Sequence, residues 1–513
     1  MVNGKIWRRT AFIVASAAFL CLAAFWLSKE KASCLGVPIL PESAIADSII
    51  CEKNELQDEI LFMNEPAAID AQTDTIYIAQ NLDESTLYTE LEGLLTVKDD
   101  KYPLYFVKDT AFDAFAESAG KGHKFTLLVD TLDGRYMRYN VVFTNLPVFR
   151  MDGAVKYQKE DGRDAYVGNV VIWDPCYEGS GKYSVKTSLL HWNKRGVATS
   201  YDPKNSYKLS FKNDDGTNRN MEFLGLDEGD DDWIINAMHR EDAKMRDKLV
   251  QDLWNRCFAD EEYHYKMSQS RYAELVLNGE YRGLYLLMRR LDEKYLDLGE
   301  GQVLVKGVNA AKDLSVEETM EVVYSGYEGD NLYAALERIK NRVEAGYIDI
   351  DNWIDINLVI DLGYMPDNTR NKNVYYILDN VDTDLRARML LWETDISYGI
   401  NYGEYSGHRP EIATFLRNYR REEPAVLEMY PDLYKRMAER WFELREEKLT
   451  METFREIIDA NYKTISSYGA HDREIERWGI YHEESTDDIE HLYRFIEQRL
   501  EYLDSVHREN LRG

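Results

Sequence analysis

The stretch DNTRNKNVYYILDNVDTDLRARMLLWETD, residues 367–395, decides the reading of this chain. Val374–Leu378 and Arg388–Trp392 are short apolar runs joined by the polar segment Asp379–Asp384. Such a pair predicts an antiparallel hairpin, in which the start of one strand lies beside the end of the other. Asp367, Asn368, Asn371 and Asn373 precede the first strand, Glu393 and Asp395 follow the second, and Gly399 closes the loop. The hairpin therefore gathers an Asp/Asn cluster and a second pair of carboxylates at one end. Hard oxygen donors of this kind suit Mg²⁺, which takes one or two carboxylates together with substrate phosphates. Polar loops that merely cap a hairpin would carry the same residues, so the pattern alone leaves both readings open.

A second feature lies upstream. The chain has 513 residues, 62 Lys+Arg and 92 Asp+Glu, for a formal net charge of −30. From Lys182 to Lys212 the balance reverses: Lys182, Lys186, Lys194, Arg195, Lys204, Lys208 and Lys212 stand against the single acid Asp202. Lys204–Lys212 alternates, with Tyr207, Leu209 and Phe211 on one face and Lys204, Ser206, Lys208, Ser210 and Lys212 on the other. A strand with an apolar back and a lysine-lined front could hold a polyphosphate, and Arg195-Gly196 with Thr199-Ser200 makes a turn able to approach phosphate oxygens. A solvated edge strand protected by lysines has the same pattern. Protein kinases combine comparable parts: a base Asp and a metal-binding Asn before a hairpin, and a metal-binding Asp after it.

Composition sets the frame. With 44% apolar and 12% aromatic residues the chain is a folded protein, long enough for two to four domains. The charge excludes a general nucleic-acid binder, which needs a clustered positive surface. Lys5, Arg8 and Arg9 precede an uncharged run from Ala11 to Leu27, which predicts a signal anchor over residues 1–28. The N-terminus would then be cytoplasmic and the bulk of the chain extracytoplasmic, held to the membrane by this segment alone; secretion after signal cleavage is the alternative. A stalk is expected over 29–59, a small β-sandwich over 60–145, and a mixed domain over 146–513 that is helical from about residue 410. Asp242 is positioned to cap a helix running through Cys257, and Asn278-Gly279 marks a tight hairpin. The histidines form no zinc pattern, and no Gly-x-Ser-x-Gly elbow occurs.

Several of these segments together resemble the CotH kinase family (spore-coat protein H and its relatives). They are Arg195-Gly196 with Pro203-Lys-Asn-Ser-Tyr-Lys-Leu209, Phe223-Leu-Gly-Leu226, Asp232-Trp-Ile-Ile-Asn-Ala-Met238 and Met245-Arg-Asp-Lys-Leu249. Leu277-Asn-Gly-Glu-Tyr-Arg-Gly-Leu-Tyr-Leu286, Asp367–Asn373 with Val374-Tyr-Tyr376, and Trp392-Glu-Thr-Asp395 before Gly399 continue the series. The likeness runs from about Leu146 to the C-terminal helices.

The resemblance implies an α+β fold, a diverged protein-kinase-like domain of CotH type, here preceded by the β-sandwich and the transmembrane anchor. It implies transfer of the γ-phosphoryl of ATP, with Mg²⁺, to Ser/Thr of a protein acceptor that is cationic and Ser-rich, as in spore coats. By position, Asp367 matches the catalytic acid that orients the hydroxyl. Lys204 and Lys208 match phosphate contacts supported by Arg195, Asn371 or Asn373 a metal-binding amide, and Glu393 and Asp395 the metal-binding pair. The chain departs from the pattern at Glu393, where relatives have Asp, at Asn205, where they have a second lysine, and at Arg289, where they often have Glu. Those departures bear on activity, so two alternatives stand beside the kinase: a binding or adhesion protein without turnover, and transfer of AMP.

Overall fold

The computed structural model describes residues 33–44, 49–51, 56, 59–79, 94–158, 164–175, 184–196, 199–223, 225–226, 229–309, 314–341, 345–368, 372–401, 404–405, 423–481 and 488–512. The anchor expected over 1–28 lies outside them. Among the described residues no helix is long and apolar enough to cross a membrane.

The N-terminal module differs from a simple sandwich. The expected strands form at Thr75–Ala79, Leu104–Lys108, Phe125–Asp130 and Arg135–Thr144. They join a mixed eight-stranded sheet in which Arg135–Thr144 runs parallel to Thr75–Ala79, and Val37–Pro41 parallel to Leu104–Lys108. Thr75–Ala79 is buried along its whole length, between a parallel partner, Arg135–Thr144, and an antiparallel one, Ala68–Asp70. Ser33–Cys34, Val37–Pro41 and Ile49–Ile50, in the stretch read as a stalk, belong to this sheet. Alternation reported the strands; it carried no information on their pairing.

Next comes a closed seven-stranded barrel. Its strands are β1 (Val148–Gln158), β2 (Asp164–Asp174), β3 (Ser184–Lys194), β4 (Tyr207–Lys212), β5 (Asp232–Asn236), β6 (Ser270–Leu277) and β7 (Glu280–Arg289). The order is β1-β2-β3-β4-β5-β7-β6, and β6 closes onto β1 in parallel. Asn278 and Gly279 both have positive φ, 52° and 71°, as the β6–β7 turn requires. Trp192, Leu209, Phe211, Trp233, Ile235 and Leu287 fill the barrel. On the outside, Ile234, Leu284, Leu286 and Met288 pack against the rest of the C-terminal half.

Within that half, a second sheet has the order β9-β8-β10-β11, formed by β8 (Val303–Val308), β9 (Met320–Ser325), β10 (Lys372–Asp379) and β11 (Arg386–Leu391). The principal helices are α1 (Arg246–Cys257), α2 (Ile350–Gly363), α3 (Leu433–Glu447), α4 (Met451–Ser466), α5 (Ala470–Trp478) and α6 (Asp488–Arg512). Leu492, Ile496, Leu500 and Leu503 of α6 are buried, as their spacing predicts. α1 begins four residues after the expected cap: Lys244 has a left-handed φ of 54°, which breaks the helical path, and Asp242 instead accepts a hydrogen bond from the Tyr481 amide at 2.7 Å.

α5 fastens the barrel. Glu474 Oε1 accepts from Lys204 Nζ at 2.7 Å and lies 3.6 Å from Lys244 Nζ, while its Oε2 accepts from the Leu284 amide at 2.8 Å. One residue earlier, Arg473 forks onto Glu274 of β6 at 2.8 and 2.9 Å. A Cβ on Gly283, whose φ is +89°, would lie 2.1 Å from Glu474 Oε2. Gly283→Ala should therefore destabilise the fold by about 2–4 kcal/mol, through its left-handed φ and the clash with Glu474, and Glu474→Gln by about 3–5 kcal/mol, since it leaves buried ammonium groups without their anion. Chemical denaturation measures both losses.

Burial lowers the Lys204 pKa to about 7, with Glu474 opposing the shift. From about pH 7 to about pH 10 the unfolded chain keeps a proton that folded Lys204 has released, so this group's contribution to stability rises with pH. Lys204→Met should lack that contribution, and the difference in denaturation midpoint between wild type and variant should move accordingly between about pH 7 and pH 8.5.

Candidate active site

The expected hairpin is β10–β11, with Val374 opposite Leu391. Its open end is tied by backbone and amide contacts: the Trp392 amide donates to Asn373 O at 3.0 Å, and Asn368 Nδ2 donates to Asn373 O at 3.0 Å and Trp392 O at 2.7 Å. The loops bearing the acids are thus held side by side. Asn373 and Glu393 both have left-handed φ, 56° and 52°, a conformation that turns each chain sharply at the strand end and that Asn adopts readily but Glu seldom does. Asp367 lies in the turn Pro366–Asn368, where Asn373 Nδ2 donates to its Oδ2 at 2.8 Å and Lys372 ion-pairs with it. Asn371 lies outside the described residues.

Across from the hairpin stands Asp247, in the first turn of α1, where a helix N-terminus favours negative charge. Its Oδ1 accepts from the Thr394 amide at 2.7 Å and the Thr394 hydroxyl at 3.0 Å, and its Oδ2 accepts from Asn236 Nδ2 at 2.9 Å. Arg246 beside it is fully buried, donating to Glu241 Oε2 at 2.9 Å and to Ser397 O at 3.1 Å. These bonds join the end of β5, the start of α1 and the loop after β11.

Five carboxylates share this neighbourhood. Burial pushes the Asp395 carboxyl well above the ordinary range, and Asp247, Glu393, Glu241 and Asp367 push it further. Burial also raises Asp247, although the bonds from Thr394 oppose the rise. Asp395 makes no side-chain hydrogen bond or ion pair among the described residues. No three His, Cys, Asp or Glu side chains among those residues converge closely enough to hold a metal by themselves. The donor chemistry nonetheless fits Mg²⁺: oxygen donors, a carboxylate without a side-chain partner among the described residues, an amide at Asn373, and room for substrate phosphates to complete the coordination.

The basic residues are arranged differently from a lysine-lined strand. Tyr207, Leu209 and Phe211 do point inward, but the alternation begins only at Tyr207; Lys204, Asn205 and Ser206 are all buried. Lys204 spends its three donors on Ala237 O, Leu284 O and Glu474, so in this structure it braces the barrel and presents no donor to the cleft. Lys208 pairs with Asp232 at 2.7 Å, which also receives Arg290 at 2.9 Å. Arg195 reaches the acidic loop directly: it donates to Glu393 Oε1 at 2.8 Å, with its guanidinium over the Trp392 ring at 5.5 Å.

The departures at 205 and 289 have local uses. Asn205 Nδ2 lies within bonding reach of Thr199 O, Ser200 O and Asp202 O and cinches the 199–202 loop. Arg289 is buried between the rings of Trp233 and Tyr295, 5.1 Å from each, beside Asp230. Sequence reasoning assigned no role to Asp247, Arg246 or Glu474. Arg246-Asp247 interrupting an otherwise apolar helix face was a usable signal for two of them; Glu474, on a helix rich in charge, gave none.

No curated protein matches the chain. The model of the family described as CotH kinase protein matches residues 193–503, from the end of β3 into α6, and takes in every residue placed at the site. With that match spanning more than half of its length, the chain belongs to the CotH kinase protein family.

Proposed function

We propose that this protein is a Mg-ATP-dependent phosphotransferase that moves the γ-phosphoryl group to a hydroxyl of a protein acceptor. The observation that carries the reading is Asp395: a carboxylate without a hydrogen-bonding partner among the described residues, set among like charges, next to the bonded pair Asp367–Asn373. Such a charge excess costs folding energy and is expected where a cation belongs. Bound Mg²⁺ would neutralise charge on the transferring phosphoryl group. Asp395, Asn373 and Glu393 would hold the metal, and Asp367 would accept the hydrogen bond of the attacking hydroxyl and orient it. Thr394 and Asn236 fix Asp247 behind them. An acidic chain of net charge −30 would draw a cationic, Ser-rich acceptor, and we propose that it does so outside the cytoplasm, tethered by the N-terminal segment.

A second reading has its own support. Lys372 on Asp367, Arg195 on Glu393 and Arg246 on Glu241 already neutralise three of the five acids, as in a protein that keeps the fold for binding alone. Incubating the full chain with Mg-ATP and Lys/Arg/Ser-rich peptides separates the readings by mass: added phosphate supports the kinase, added AMP the nucleotidyl transfer, and an unchanged peptide without saturable ATP binding the non-catalytic protein.

Asp395→Asn makes a two-sided prediction. Its carboxyl has a raised pKa in the folded state, so ionisation above the ordinary carboxylate range lowers stability. The amide should raise the melting temperature of the metal-free protein near pH 7.5, abolish the stabilisation by Mg²⁺, and abolish transfer. Thermal melts with and without Mg²⁺ check the first two effects; the mass assay checks the third. In the wild type, stabilisation by Mg²⁺ should fade as pH falls through the raised carboxyl pKa, because protons then compete for the same oxygens.

A further inference from the structure

The phosphate-binding residue of the cleft need not come from the basic stretch at 182–212. β8 crosses the middle of the second sheet as Val303-Leu-Val-Lys-Gly-Val308, where Lys306 interrupts an apolar run. Its cross-strand partners are Glu321 on β9 and Tyr375 on β10, and directly opposed residues share a face. The Lys306 ammonium lies 6.0 Å from the centre of the Tyr375 ring. Tyr375 meets Trp392 edge to face with centroids 5.7 Å apart, and the Arg195 guanidinium covers Trp392. Lys306 and Arg195 therefore flank one aromatic step, immediately before Glu393.

Other cations here already have an anion: Arg195 has Glu393, Lys208 and Arg290 have Asp232, Lys372 has Asp367, and Lys204 has Glu474. Lys306 makes no hydrogen bond or ion pair among the described residues, even with Glu321 across the strand gap. Glu393, Arg195, Glu321 and Arg290 are the charges that act on it, so it faces the acidic loop and the outer wall of the barrel together. A half-buried ammonium without a partner costs stability, and that cost is recovered when an anion arrives.

We propose that Lys306 binds the phosphate chain of the nucleotide, the task for which the sequence pattern singled out Lys204. The inference rests on the nucleotide reading above. It assigns the contact to the C-terminal sheet, with Lys204 and Glu474 bracing the barrel.

Binding of Mg-ATP, Mg-tripolyphosphate and adenosine to the full-length wild type, Lys306→Met and Lys306→Arg tests it by calorimetry, with melting temperatures alongside. Lys306→Met should weaken both phosphate ligands about tenfold or more, the scale of a lost charge-assisted contact. Adenosine affinity should stay unchanged, and Lys306→Arg should recover most of the loss. The melting temperature of ligand-free Lys306→Met should hold or rise. Equal binding of Mg-ATP by wild type and Lys306→Met overturns the assignment while leaving the nucleotide reading intact. A wild type that binds none of the phosphate ligands overturns both. A melting temperature that falls in Lys306→Met and is restored by Lys306→Arg, with phosphate affinity unchanged, identifies a structural cation and overturns the assignment as well.

Discussion

Two buried lysines share one glutamate, and the rest of the structure is arranged around that fact. Lys204 and Lys244 come from the barrel and the segment before α1; Glu474 comes from α5, near the end of the chain. A buried ammonium is tolerated only with an anion and a full set of acceptors, so the position of α5 is fixed to within a hydrogen bond. Ala237 O, one of the acceptors of Lys204, follows Asn236, whose amide holds Asp247. Asp247 in turn holds Thr394 between Glu393 and Asp395. A short relay of fully used polar groups thus runs from the charge pair that secures the barrel to the carboxylates of the candidate active site.

The site is balanced by cations of both origins. Lys372 and Arg195 attend Asp367 and Glu393, whereas Asp247 is satisfied by neutral donors and Asp395 by no side chain among the described residues. Neutral donors lower the cost of a buried carboxylate without cancelling its charge, so the field at Asp395 stays negative. The reversal of charge at 182–212 looked like the counterpart of this field, yet the residues from it that are placed near the acids are committed to partners.

What the sequence made legible followed from range. The β10–β11 hairpin and its polar ends are set by residues a few positions apart, and the Asn278-Gly279 turn by two adjacent ones; both formed where local chemistry put them. Lys204 is the opposite case. Its alternation with Lys208 matched a solvent-facing strand, but its environment is decided by Glu474, 270 residues away, which local pattern cannot contain. The N-terminal sheet was legible only in part for the same reason: alternation identifies a strand and its buried face, while the parallel pairing of Arg135–Thr144 with Thr75–Ala79 depends on long connections. Asp247 lay between, readable as a charge where an apolar helix face begins, and opaque in its partner.

The separation between Lys204 and Glu474 also has a consequence in time. A ribosome adds about 5–20 residues per second, so roughly 15–50 s pass between the synthesis of the lysine and that of its counter-charge. Once Arg289 has been added, and for the larger part of that interval, the seven strands of the barrel are complete in sequence but lack the helix that fastens them. The nascent chain therefore carries an ammonium group that water must keep solvated, and the final fastening of the barrel waits for α5 to be made.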